Sequence, residues 1–398
     1  MPAIPRNGTC SGNEKTTSPD SARPQDTGYP VWAPRFWHGM RSGDWLRLLA
    51  QHRFRISPSR LPMAGAISFF SMLNSVLHRV QQIRHGRRIE QTAIEKPPVF
   101  IIGHWRSGTT FLHELLVRDP QFAYPTTYEC FAPSHFLVSE WIIPKLIAWL
   151  MPKKRPMDNM GAGFDYPQED EFALANLGCP TPYLHLAFPN DPPCYLELLD
   201  MVDVAEPVRE RWERDVVYFV RALTLAQGRR LVLKSPPHTG RMGVLSRLFP
   251  GAKFIHIARH PEKLFISTRR LWWTLSHVQG LQVPQDKERD AYIFACFERM
   301  YRGFEQQRSE IEPGHLCDIR YEDLVRDPMA QVQAIYEQLD LGGFAEVRET
   351  MEACLRDRRG YQPNRHQDIE PEIRVELRRR WSDYYERYGY AAALARST

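Results

Sequence analysis

From Pro98 onward, short apolar runs alternate with segments of helical spacing, a pattern that predicts a mostly parallel sheet covered by helices on both faces. The runs expected as strands are 99–103, 230–233, 253–258 and 316–320, and the expected helices are 109–117, 239–249, 328–339 and 371–388. Ahead of the first strand, 31–95 places Arg, Trp and aliphatic residues at helical spacing, which predicts a helical extension. Residues 1–30 mix Pro, Ser, Thr, Asn and charges without an apolar core, so they read as a disordered tail and not as a signal peptide. The chain thus divides into a tail (1–30), a helical extension (31–95) and an α/β domain (96–398).

Two apolar stretches interrupt this picture. Residues 61–78 carry no formal charge and lie between Arg53, Arg55 and Arg60 on one side and Arg79, Arg84, Arg87 and Arg88 on the other. Pro62, Gly65, Ser68, Ser71, Asn74 and Ser75 dilute them, whereas a membrane span needs about 20 predominantly apolar residues. Residues 136–151 are broken by Glu140, Pro144 and Lys145. A packed or substrate-covering helix is the first reading, peripheral membrane contact through 53–88 the second, and a span the last.

At 398 residues, with 43% hydrophobic and 25% charged residues, the chain can bury a sizeable core in water. Its net charge of +5 suits an anionic small ligand or a membrane surface and is too weak to call for nucleic acid. The seven cysteines form no close pair and show no metal-ligand spacing, which points to reduced thiols in a cytoplasmic protein, at most peripheral at the inner membrane face.

The chemistry begins where the first strand ends. Pro98 to Thr110 runs from an apolar strand into a loop with Gly103 and Gly108 at phosphate-loop spacing. Thr110 keeps the hydroxyl, but Thr109 stands where an NTPase has lysine, and a cation appears earlier at Arg106. Such a loop still cradles an anion at a helix N-terminus, but lacks the lysine that grips a β/γ-phosphate pair. Two further strands end in cations, Lys234 to His238 and Arg259-His260-Pro261, and ligands of such sheets sit beyond the strands' carboxyl ends. Ser267 follows Arg259 by about two helical turns, and an arginine fork with a serine hydroxyl makes a monophosphate clamp. Two separated anion sites emerge, suited to a nucleotide phosphorylated at both ends of its ribose.

In these residues the chain resembles the sulfotransferases that use 3′-phosphoadenosine 5′-phosphosulfate (PAPS), especially their bacterial branch with an arginine in the loop. The resemblance rests on Phe100 to Leu115, Leu233 to His238, Ile255 to Trp272, and Tyr321-Glu322-Asp323-Leu324 followed by Asp327-Pro328, and covers about 96–388. It implies a P-loop NTPase-like, doubly wound parallel sheet, PAPS as donor, adenosine 3′,5′-bisphosphate (PAP) as product, and no required metal. Arg106, Ser107, Gly108, Thr109 and Thr110 would hold the 5′-phosphosulfate, and Arg259 with Ser267 the 3′-phosphate. A basic segment closing over the nucleotide is matched only loosely, by Arg359 or Arg365.

Lys234 and Arg106 are the candidates to neutralise the leaving oxygen. For the base that deprotonates the acceptor, His238 ranks first, then Glu169 within the cluster Gln168 to Glu171, then Glu129. Trp105 stacks on adenine, walls the acceptor pocket or packs in the core, while Trp272 and Trp273 read as core. The aromatic, apolar insertion between Tyr124 and Leu199 suggests a large, lipid-like acceptor, with a glycan also open. The competing functions are a P-loop kinase or NTPase, which would need a phosphate-reaching lysine and a Mg ligand, and a membrane-surface scaffold.

Overall fold

In the computed structural model, described for residues 29, 33–148, 163–285, 287–357 and 369–391, the expected strands form one parallel sheet. They are β1 (Val99–Ile102), β2 (Phe122–Ala123), β3 (Arg230–Lys234), β4 (Lys253–Ala258) and β5 (Leu316–Arg320), in the order β2-β3-β1-β4-β5. The two-residue β2 is too short to leave a periodic signal. Arg359 and Arg365, residues 1–28 of the tail and the end of the second apolar stretch lie outside the described residues.

Period-2 alternation assigns the strand residues to two cores. Val99 and Ile101 pack on one face with Leu112, Val232, Ile255 and Val332, while Phe100 and Ile102 pack on the other with Leu233 and Phe254. The second core also takes in Trp37, Trp45, Ile67 and Ile89, so the segment 31–95 shares its apolar interior with the sheet. Register fixes what meets at the top: Ile101 pairs with Lys234, Ile102 with His256, and Ala258 with Arg320.

Two expected helices are reshaped. The one starting at 239 is a 3-10 turn, Pro236–Arg241, followed by the helix Met242–Leu248. Gly240 lies so close to a neighbouring segment that a Cβ would sit 2.1 Å from Leu199 O. The C-terminal helix breaks into Pro371–Arg380 and Ser382–Arg387 at Trp381, whose buried indole stacks on Phe297 at 3.6 Å.

Glu129 belongs to a helix cap. In the short helix Thr127–Phe131, Glu129 N–H donates to Thr126 Oγ1 at 3.1 Å and Glu129 Oε2 accepts from Thr126 N–H at 2.7 Å. Its other oxygen accepts from Gln227 Nε2 at 2.9 Å. Burial pushes the carboxyl up to about 7, with Glu140 adding to the rise and the hydrogen bonds opposing it.

A raised native pKa favours the neutral acid, so this contribution to stability is full below about pH 4.5 and gone once the pH has passed about 7. Relative to Glu129→Gln, the native protein should therefore lose on the order of 2–3 kcal/mol of unfolding free energy between those limits and nothing more above them. Urea melts of both proteins from pH 4.5 to 8.5 check this; parallel profiles would refute it.

Candidate functional site

Because β1 lies between β3 and β4, the segments leaving three adjacent strands emerge side by side. Gly103 leaves β1 at φ 139°, where a Cβ would meet Ile257 O at 2.6 Å, and its N–H donates to Thr239 Oγ1 at 2.8 Å. Gly108, at φ 109°, opens the helix Thr109–Leu116 and abuts the Tyr321 ring so closely that a Cβ would lie 2.3 Å from it. Only glycine fits either position.

Between them Arg106 adopts φ 70°, an uncommon state for a long side chain. That turn aims its guanidinium at the helix Pro261–Gln279, where Nε donates to Ser267 Oγ at 2.9 Å. Arg259 Nη1 donates to Arg106 O at 2.6 Å, and its guanidinium lies over the Tyr321 ring, 4.5 Å from the centroid. Tyr384 OH clasps the Arg259 backbone, accepting from its N–H and donating to its carbonyl. Arg106, Ser267 and Arg259, expected at two separated anion sites, are thus linked in one cluster. Ser107 Oγ is buried there without a hydrogen-bond partner among the described residues. Two positive-φ glycines, a helix N-terminus, two guanidinium groups and an orphaned hydroxyl fit a phosphorylated nucleotide.

The other half of the site faces this cluster from the far side of β1. Where β3 ends and the 3-10 turn begins, Lys234, His238 and Arg241 meet three consecutive acids at the start of the helix Asp170–Asn176. Lys234 Nζ donates to Glu169 Oε1 at 2.7 Å, and His238 Nε2 pairs with Asp170 Oδ2 at 2.5 Å. Arg241 forks onto Glu171 with bonds of 2.8 and 3.2 Å. Glu171 N–H donates to Ser235 Oγ at 3.0 Å, and Arg241 Nε to Leu198 O. Burial would raise the Asp170 carboxyl, but the charge and hydrogen bond of His238 outweigh it and hold it below the ordinary range.

Exposure separates the three pairs. The Glu169 side chain keeps 12% of its surface open, against 5% for Asp170 and none for Glu171. Its second oxygen accepts from Tyr183 OH at 2.5 Å, and that phenol accepts from Trp105 Nε1 at 2.8 Å. Burial and then the Glu169 charge push the Tyr183 phenol well above its ordinary value, so it remains a donor.

The three candidate bases differ in access. His238 has no open face: it is fully buried, held by Asp170 and flanked edge-on by the rings of Phe100 and Trp212. Both Glu129 oxygens are spent on the cap and on Gln227. Of the three, Glu169 keeps the most exposed surface.

Trp105 is buried and meets Trp272 edge-to-face at 5.1 Å; Trp272 in turn meets Tyr292 at 5.2 Å. Beyond Trp272 lies a cavity of about 520 Å³ lined also by His185, Asp191, Leu196, Arg289 and Tyr292. Trp272, expected as core, is buried and also walls this cavity, whereas Trp273 is half-buried and packs on His277.

Sequence reasoning missed Tyr183, Thr239, Arg241 and Tyr384. For Arg241 a signal existed: cations at 234, 238 and 241 repeat with the spacing of a single face, and three consecutive acids stood ready to match them. Tyr183, Thr239 and Tyr384 carry no such signal, because each acts through contacts far along the chain.

The chain is 41% identical over 359 residues to the omega-hydroxy-beta-dihydromenaquinone-9 sulfotransferases Stf3 of Mycobacterium bovis and Mycobacterium tuberculosis, covering 90% of this chain and 92% of each relative. Its fold matches the crystal structures of sulfotransferase STF1 from Mycobacterium tuberculosis (TM-score 0.60, 17% identity, 89% of this chain and 95% of that one) and STF9 from Mycobacterium avium (TM-score 0.61, 18% identity, 83% and 86%). A family described as the sulfotransferase family matches residues 97–346, more than half of the chain, and the protein belongs to it.

Proposed function

We propose that the enzyme binds PAPS across the loop and the Arg259 cluster and passes its sulfuryl group to a hydroxyl of an isoprenoid, lipid-like acceptor. The observation that carries this reading is the Glu169 carboxylate, suspended between Lys234 and Tyr183 beside an anion-binding loop. PAPS supplies an activated sulfuryl group on a phosphate leaving oxygen. Arg106, Ser107, Gly108, Thr109 and Thr110 hold the 5′-phosphosulfate end, and Arg259 with Ser267 holds the 3′-phosphate. Because Arg106 already bonds Ser267, one guanidinium braces both ends.

Glu169 takes the acceptor proton, while Tyr183 and Trp105 keep its carboxylate oriented. Once protonated, Glu169 no longer neutralises Lys234, so the full Lys234 charge is available to the leaving oxygen as negative charge grows there. The acceptor class is inferred from the cavity behind Trp272 and from the named substrate of the 41% identical relatives, a hydroxylated menaquinone. Radiolabelled PAPS offered with hydroxylated isoprenoid quinones, glycans and soluble phenols tests it; transfer to phenols or glycans but not to the quinones would overturn the acceptor class.

Glu169→Gln should lower kcat by about 10²- to 10⁴-fold with little change in PAP affinity, while Glu129→Gln leaves kcat close to normal. Single-turnover kinetics on both variants decide between them, and normal turnover by Glu169→Gln would exclude it as the base. Lys234→Ala should keep the fold and cost at least about 10² in rate, by loss of a fixed cation at the growing charge. Arg259→Ala should weaken PAP binding by roughly 10- to 100-fold in calorimetry without Mg²⁺, the worth of charge-assisted bonds to a phosphate.

A further inference from the structure

The helix Leu61–Gln91 leaves large apolar side chains exposed along its length. Its buried face mixes Ala64, Ile67 and Ile89 with polar groups bonded to the protein: Ser68 Oγ accepts from Trp45 Nε1, Asn74 Nδ2 donates to His38 O and Met40 O, and Gln81 Oε1 accepts from Leu137 N–H. Its outward face is apolar. Phe69, Leu73, Val76, Val80 and Ile83 recur at helical spacing, and Phe69 is 63% and Ile83 86% exposed. Continued by one turn, the same face presents the exposed Arg84 and Arg87. Trp141 (68% exposed) and Leu146 (64%) follow directly on the helix Phe136–Ser139, whose Leu137 is bonded to Gln81.

We propose that this face is a docking surface for an anionic lipid bilayer, with the helix lying in the interface plane. Charge selects the partner: residues 53–89 contain seven arginines and no Asp or Glu, the complement of phosphate headgroups. Trp141 stands where an aromatic side chain anchors at the headgroup level. The helix is long and apolar enough to cross a membrane, but crossing would strip the inner-face hydrogen bonds from Trp45, His38, Met40 and Leu137.

The face also leads to the cavity behind Trp272. The segment entering the helix is stitched to the cavity rim: Ser57 N–H donates to Leu281 O, Val283 N–H donates to Ser57 Oγ, and His52 Nδ1 pairs with the cavity residue Asp191. Exposed Phe54, Leu61 and Val283 line that approach. A lipid acceptor could pass from the bilayer to the cavity along it, a role that rests on the acceptor reading above.

The test is flotation with vesicles of phosphatidylcholine alone or with about one-third phosphatidylglycerol, alongside PAP calorimetry and sulfation of a long-chain hydroxylated quinone in the vesicles and of a short water-soluble analogue. The intact enzyme should float with the anionic vesicles and at least about tenfold less with the neutral ones. Phe69→Glu with Leu73→Glu, both at exposed positions, should abolish flotation and vesicle-borne transfer while sparing PAP affinity and the soluble reaction. Arg84→Ala and Arg87→Ala should each weaken anionic binding roughly fivefold. The surface is refuted if the intact enzyme ignores vesicles, if the double variant floats as well as the parent, or if that variant instead splits a dimer that neither vesicle captures. Failure of PAP binding or of both transfers in the parent would refute the enzymatic reading, and flotation would still judge the surface.

Discussion

Three consecutive carboxylates facing a lysine, a histidine and an arginine of β3 and its following turn decide where everything else in the site can be. Glu169, Asp170 and Glu171 are adjacent in sequence, so they cannot shift independently, and each has its own partner in Lys234, His238 and Arg241. Buried charges stripped of partners are costly, on the order of 3–5 kcal/mol for a broken buried pair, so this register admits no slippage. Arg241 is the deepest: fully buried, forked on Glu171 and lying over the Trp212 ring at 4.9 Å. The inner two pairs thus lock the segment around 163–200 to the carboxyl end of the sheet, and the outermost pair is left with a face open for chemistry.

This explains which parts were legible in the sequence. Parallel strands buried on both faces read as continuous apolar runs, and the loop glycines announce their turn by spacing, so β1, β3, β4, β5 and the anion loop were visible. What a linear pattern does not carry is the choice of partner across 65 or more positions, as between Glu169 and Lys234. His238 looked like a base because an imidazole beside a strand end has a useful proton affinity, whereas Asp170 and two aromatic rings close it off. The bond between Arg106 and Ser267 was hidden for a similar reason: the φ of Arg106, which brings it to Ser267, is a property of the loop and not of the residue.

The missing lysine of the loop acquires a physical meaning here. A lysine at position 109 would project from the first turn of the helix toward a terminal phosphate, whereas Arg106 leaves the loop earlier and turns sideways to Ser267 and Arg259. Cations gathered to the side of the loop suit a ligand charged at two separated points, and Lys234 on the neighbouring strand is the one paired with Glu169. Tyr321 supports both halves, as the platform beneath Arg259 and the wall that makes Gly108 obligatory.

The polar groups on the inner face of the helix Leu61–Gln91 follow from the same rule of satisfied polar groups. The helix covers the ends of short helical turns whose carbonyls and amides, such as His38 O, Met40 O and Leu137 N–H, have to be paired once buried. Leaving one unpaired costs about 1–3 kcal/mol, which rules out an apolar inner face at these positions. Asn74 and Gln81 are therefore fixed by folding. The outer positions carry no such demand, and folding alone would be served as well there by Lys or Glu, which are better helix formers than Phe or Val. An outer face that nevertheless presents Phe69, Leu73, Val76 and Ile83 to solvent is unexplained by folding, and the bilayer contact proposed above would account for its composition.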